Sequence, residues 1–236
     1  MHLHSRPKKI TPTMLLGVFV LTCSTAALGL ELNDLTDKDT SAGLKGAMEQ
    51  GSSAAIAKLG AANGFLDNEK VRIKLPAKFD KVRSVLQMTG QSKKIDDLEI
   101  AMNHAAETAV PLAKPLLINA VKSMTFTDAK NILTGGETSV TDFFRQKTSA
   151  DLAIKFLPLV KKVTDKAKLA QSYNSVMSKA QALGIGAKQE ATVEGYVTKR
   201  AVEGLYLMIA EEEKNIRRDP IGAGSQIISK VFGAVK

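Results

Sequence analysis

From about residue 39 onward, apolar side chains return every three or four positions, the spacing of one face of an α-helix. Leu44, Met48, Ala55 and Leu59 share such a face in SAGLKGAMEQGSSAAIAKLG. Asp39, Thr40 and Ser41 offer caps ahead of it, and Gly60 closes it. The pattern changes once. Val71, Arg72, Ile73, Lys74 and Leu75 alternate at period two before Pro76, as in a strand with one face inward. No second stretch of this kind offers a partner. The segment is therefore expected as an extended loop packed on helices, or at most one short strand.

The helical pattern then resumes. Pro76 opens a helix through Val82 and Leu86 to Gly90. Ser92 caps a longer one whose interior holds Pro111 and Pro115, which predicts a break near Val110. Thr127-Asp128 starts a short helix, TDAKNIL, that ends at Gly135-Gly136. Separate helices are expected around DFFRQK and from Ser149 through ADLAIKFLPLVKKVTDKA, the latter kinked at Pro158. LAQSYNSVMSKAQALG forms another, ending at Gly184, and the stretch from Gly184 to Thr192 is the one candidate hinge. A long helix spans Val193 to Arg218 and stops at Asp219-Pro220, because the residue before proline avoids helical geometry. In the last, IGAGSQIISKVFGAVK, Ile221, Ile228, Phe232 and Val235 share a side. Connections are short, so neighbouring helices should run antiparallel. The expected fold is all-α: a single-domain antiparallel helical bundle with kinked helices over residues 30–236, with at most one short strand-like segment.

The first thirty residues follow a different rule. MHLHSRPKK is basic without an acid, Met14 to Leu21 is densely apolar, and small residues follow. That is the order of a secretory signal peptide. Ala27-Leu28-Gly29 places small side chains where signal peptidase needs them, so cleavage is expected before Leu30, leaving residues 1–29 as leader. Two alternatives stay open: an uncleaved anchor facing the periplasm, and lipid attachment at Cys23, although Thr22 precedes it where small Gly, Ala or Ser is preferred. Cleavage removes Cys23, His2 and His4. It also removes Arg6, Lys8 and Lys9, so the formal charge of +9 falls to +6. The working chain would then be a cysteine-free periplasmic protein with His104 as its only imidazole.

That composition excludes much chemistry. There is no thiol nucleophile, and one histidine cannot build a di-iron bundle with its two Glu-x-x-His pairs. LTGGETS has no lysine after Gly136, so it reads as a helix end and turn, not as a phosphate loop. Ser172-Tyr173-Asn174 has the form of one penicillin-binding element, but the Ser-x-x-Lys and Lys-Thr-Gly partners are missing. No EF-hand loop occurs. No cofactor or metal is expected.

Acidic and basic residues do group. Glu99, Asn103 and Glu107 fall at i, i+4 and i+8, with His104 beside them; the pattern is that of a wet helix face or a partly buried carboxylate site. Glu211, Glu212 and Glu213 cover most of a turn, so one must face inward or sideways. Glu213 and Arg217 stand at i, i+4, as ordinary helix support. Lys155, Lys162 and Lys166 share a stripe with Lys161 and Lys168 nearby, a solvated face or a contact for anionic lipid or cell-wall polymer. The candidate binding residues are Arg145, Glu107, His104, Glu212 and Arg217, with no catalytic set among them. Three functions follow: a non-catalytic binding or interaction module of the cell envelope, a carrier of a lipid or other apolar ligand, or a hydrolase using Glu107 with Glu211 or Glu212. The expected partner is an envelope protein or a small apolar ligand. Nucleic acid is not expected outside the cytoplasm.

The strings SAGLK, ANGFL, VRIKLP, AVPLAKP, DAKNILTGG, DFFRQKT, FLPLVKKVTDK and GLYLMIAEEEKNIRRDP occur together from about Leu30 to Lys236. In that combination the chain resembles a bacterial family catalogued as domain of unknown function 4197. The resemblance implies an exported, mainly helical protein of Gram-negative bacteria with one intact domain. It carries no catalytic residue onto this sequence.

Overall fold

A computed structural model of the chain describes residues 36–75, 80–88, 90, 92–166, 171, 173, 175, 178 and 192–234. The elements are α1 (Asp37–Gly60), α2 (Asp80–Met88), α3 (Ser92–Ala109), a 3-10 turn (Val110–Leu112), α4 (Ala113–Lys122), α5 (Phe126–Leu133), α6 (Ser139–Lys166), α7 (Val193–Arg218) and α8 (Gln226–Gly233). There is no strand among the described residues, and the fold is all-α. The expected leader with Cys23, the start at Pro76 and the hinge at 184–191 lie outside the described residues, as does nearly all of LAQSYNSVMSKAQALG. Among the described residues no helix is long and apolar enough to cross a membrane.

Local chemistry sets the helix ends. Thr36, not Asp39, caps α1: its hydroxyl accepts from the Asp39 amide at 3.1 Å. Thr125 caps α5 in a reciprocal capping box with Asp128, two residues before the expected start. The expected break at Val110 is present, as Pro111 tightens the chain into the 3-10 turn between α3 and α4. Pro158 does not break α6, which runs through it without interruption and joins two expected helices into one. Proline lacks an amide hydrogen, so the i to i+4 bond from position 158 to the Ile154 carbonyl is not made. The final helix is shorter than expected. Pro220 to Gly224 forms a turn with Gly224 at φ +74, leaving Ile221 81% exposed while Ile228 and Phe232 are buried. Val235 lies outside the described residues.

α7 is the centre of the packing. It lies against α6, α1 and α3, while α8 packs on α1 and α3 also meets α6. Tyr206, Phe65, Phe144, Phe156, Leu44 and Met48 are among the largest wholly buried side chains of one continuous core. Small residues permit two close approaches. A Cβ on Gly204 would stand 2.8 Å from the Phe65 ring, and one on Gly43 2.4 Å from Val231. The loop after α1 and helix α8 therefore sit closer than any alanine would allow.

Candidate functional site

Three polar clusters hold this bundle together, and most of the sequence-derived candidates belong to them. The first lies on α3. Glu99, Asn103 and Glu107 form the predicted stripe, but all three are buried, which corrects the wet-face reading. The physical reason is the segment from Asn63 to Leu75, which lies on them. Glu107 accepts from the backbone amides of Asn63, Phe65 and Leu66 at 3.2, 3.1 and 3.2 Å. The Asn103 side chain takes both backbone groups of Ile73, accepting from its amide at 2.8 Å and donating to its carbonyl at 2.9 Å. Glu99 accepts from the Leu75 amide at 2.9 Å and from Arg83. Tyr196 on α7 donates to the Lys74 carbonyl at 2.7 Å.

The alternating stretch is thus strand-like without a partner strand. Val71, Ile73 and Leu75 point inward, as period two requires, and Lys74 points out. Helix side chains supply the hydrogen bonds that a neighbouring strand would normally give, since buried backbone groups must be paired. His104 sits at the edge of this ladder. It is 48% exposed, with Nε2 3.3 Å from Asn63 Oδ1 and 4.0 Å from Glu107 Oε2. Asn63 takes φ +61 to begin the turn that Glu107 binds.

The second cluster joins α7 to the start of α6. Glu213, the inward member of the acidic triplet, accepts from the Val140 and Thr141 amides at 2.9 and 3.0 Å and from the Thr141 hydroxyl at 2.9 Å. A carboxylate here faces the positive end of the α6 dipole. Arg217 donates to Glu213 at 3.0 Å, to Ser139 Oγ at 2.7 Å and to the Ile132 carbonyl at 3.0 Å, tying the end of α5 to the start of α6. The TGGE turn is knitted to α7 in this way. The amides at the α6 start that an anion would seek already hold Glu213. Glu212 and Glu211 turn outward to Lys58, at 2.5 Å, and to Lys70.

The third cluster is aromatic. Tyr206 is wholly buried, its hydroxyl 2.9 Å from Thr148 Oγ1, and burial raises its pKa above the ordinary tyrosine value. Arg145 is exposed and lies over that ring at 4.7 Å as a stacking cation, and among the described residues no carboxylate pairs with it.

The five candidates are therefore spread over separate places. Glu107 and His104 belong to the α3 ladder, Arg217 to the α5–α6 knot, Glu212 to an exposed ion pair and Arg145 to a ring face. Among the described residues the buried carboxylates Glu99, Glu107 and Glu213 are each occupied by amides or an arginine. Among the described residues no group of three His, Cys, Asp or Glu side chains is placed to hold a metal.

Open space is left at the surface. A cavity between Met48, Val140, Ile216, Glu213 and Phe232 measures about 10 Å³, close to the limit for a single water and far below a ligand pocket. A cleft of about 510 Å³ runs past Arg72, Lys74, Arg83, Glu69, Asp80, Asp96 and Glu99. Its bases are largely matched by its own acids, with Lys74 on Glu69 at 3.1 Å and Arg83 on Glu99.

The outer face of α6 differs from that cleft. Ile154 is 70% and Leu157 43% exposed, with Ala150 and Pro158 on the same stripe. Leu157 also lines an apolar groove of about 330 Å³ with Ala153, Thr198 and Val202. Lys147, Lys155, Lys161 and Lys162 border the stripe, along with Asp151 and Asp165. The missed signal was in the sequence: apolar residues at 150, 154, 157 and 158 repeat at helical spacing, but the period alone does not tell an inward face from an outward one.

Taken together, these features define an all-α bundle whose interior acids hold its own backbone and whose longest helix, α6, exposes Ile154 and Leu157 four and seven positions beyond Ala150. The chain belongs to the family described as "Protein of unknown function (DUF4197)", which matches residues 34–233. Neither the curated proteins nor the solved structures contain a match.

Proposed function

We propose that this protein is a non-catalytic binding module of the bacterial cell envelope, working through the outer face of α6. The observation that carries the reading is the employment of the buried carboxylates. Glu99, Glu107 and Glu213 are each held by backbone amides or an arginine. A general acid–base pair needs a group free to exchange its proton with substrate. Glu212, the other proposed acid, is paired with Lys58 instead of sharing a cleft with Glu107. Against the carrier reading, the cavity beside Met48 and Phe232 measures only about 10 Å³, and the apolar groove of about 330 Å³ at Leu157 lies open at the surface. Exposed Ile154 and Leu157, by contrast, form the contiguous apolar stripe that marks interaction surfaces.

The reading includes export, supported by the basic, apolar and small-residue order of residues 1–29. A photo-crosslinking amino acid at position 154 or 157 tests the whole proposal in intact cells. Adducts are expected there and not at positions 114 or 130, on exposed lysines of α4 and α5. Absence of adducts at 154 and 157 would overturn the α6 assignment. N-terminal sequencing of the same material should begin at Leu30; a chain recovered from the cytoplasm with Met1 in place would overturn export.

A further inference from the structure

Resting on the binding-module reading, we infer that the outer face of α6 docks on an anionic phospholipid bilayer. The stripe Ala150, Ile154, Leu157 and Pro158 is exposed, and its residues recur at i, i+4, i+7 and i+8. That is the width of an amphipathic helix seated at a membrane interface. Its borders carry Lys147, Lys155, Lys161 and Lys162 against Asp151 and Asp165. Among the described residues, no carboxylate lies within ion-pair distance of Lys155, Lys161 or Lys162. Lys58, Lys70, Lys74, Lys93, Lys214 and Lys230 each have an acidic partner, while Lys38, Lys45, Lys114, Lys122 and Lys130 also lack one among the described residues; what sets the α6 lysines apart is the exposed Ile154 and Leu157 beside them.

Charge complementarity selects the occupant. A protein groove for this stripe would need acidic groups placed to match each lysine. A sheet of phosphate headgroups matches them in any register, while the flat apolar side chains enter the headgroup–acyl boundary. Leu157 extends that apolar contact into the groove it shares with Ala153 and Val202. The helix is a surface element and not a spanning one, in keeping with the absence of a membrane-crossing helix among the described residues.

Flotation with vesicles of phosphatidylglycerol and phosphatidylcholine in equal parts, against pure phosphatidylcholine, tests this with the natural chain. The wild type is expected to float with the anionic vesicles and to be released by high salt. The variant K155Q/K161Q/K162Q should bind about 100-fold more weakly. I154S/L157S should lose roughly tenfold or more at unchanged charge. An equal loss of charge elsewhere, K38Q/K114Q/K122Q, should weaken binding far less; circular dichroism confirms that all variants remain folded. Equal flotation with both vesicle types, or an α6 triple variant indistinguishable from the remote one, overturns the inference. Protein adducts at 154 and 157 without vesicle binding would also overturn it while leaving the binding-module reading intact. No adducts of any kind would end both.

Discussion

Replacing Glu107 probes the ladder that holds the segment from Asn63 to Leu75 on α3. Its Oε1 accepts from Phe65 and Leu66, and its Oε2 from Asn63. In Glu107→Gln one oxygen becomes an NH2 group. The Gln oxygen keeps the Phe65 and Leu66 amides, and the new donor then opposes the Asn63 amide. One charge-assisted bond is lost and one donor is orphaned, which costs about 2 kcal/mol. In Glu107→Leu all three amides lose their acceptor. The Phe65 amide is buried and the other two are partly so. The expected loss is about 4 kcal/mol, near the upper end for a single substitution. At about 2–4 °C per kcal/mol for a chain of this size, Tm falls by roughly 4–8 °C in the first variant and 8–16 °C in the second. Urea unfolding followed by circular dichroism gives the energies, and hydrogen exchange gives the location. The Phe65 and Leu66 amides should lose protection in Glu107→Leu while Ile73, held by Asn103, keeps its own. If both variants unfold within about 0.5 kcal/mol of wild type, the carboxylate does not carry the loop and the argument fails.

Other outcomes follow from the same geometry. Arg217→Met should cost about 3 kcal/mol, because Glu213 is left buried without its cation and the Ile132 carbonyl loses a donor; urea unfolding within 1 kcal/mol of wild type would contradict it. Breaking the outward pairs by Lys58→Gln or Lys70→Gln should change stability by less than about 1 kcal/mol, and a larger loss would show that these exposed ion pairs matter to the fold. Gly204→Ala places a methyl 2.8 Å from the Phe65 ring and should lower Tm measurably, whereas alanine at Gly136, with open space around it, should not. Burial raises the pKa of Tyr173, Tyr196 and Tyr206, so the folded chain keeps these protons where the unfolded chain releases them. Stability is therefore unaffected by these groups below the ordinary tyrosine pKa of about 10 and falls as pH rises through it. Titration by tyrosinate absorbance should show a later midpoint in native protein than in urea; coincident curves would refute the burial.

Local patterning made most of the helices legible. The long α7 has the expected bounds because its period, its run of good helix formers and the Asp219-Pro220 stop all lie within neighbouring residues. Helix starts at Thr36 and Thr125 were displaced from the expected ones by a few positions, since several nearby Thr, Ser and Asp residues can each cap and the sequence does not rank them. Pro158 leaves α6 continuous, since neighbouring turns and packing on α7 outweigh one missing hydrogen bond.

Candidate residues were less legible. The sequence showed that Glu99, Asn103 and Glu107 share a helix face, that one of the three glutamates from 211 to 213 must face inward or sideways, and that Val71 to Leu75 alternate. It did not show that the first stripe holds that alternating segment, because residues 24 to 44 positions apart meet only when the bundle closes. Spacing is a property of the chain and survives in any context. Whether a carboxylate faces water, a substrate or a neighbouring amide depends on what packs against it, and only the tertiary structure decides that.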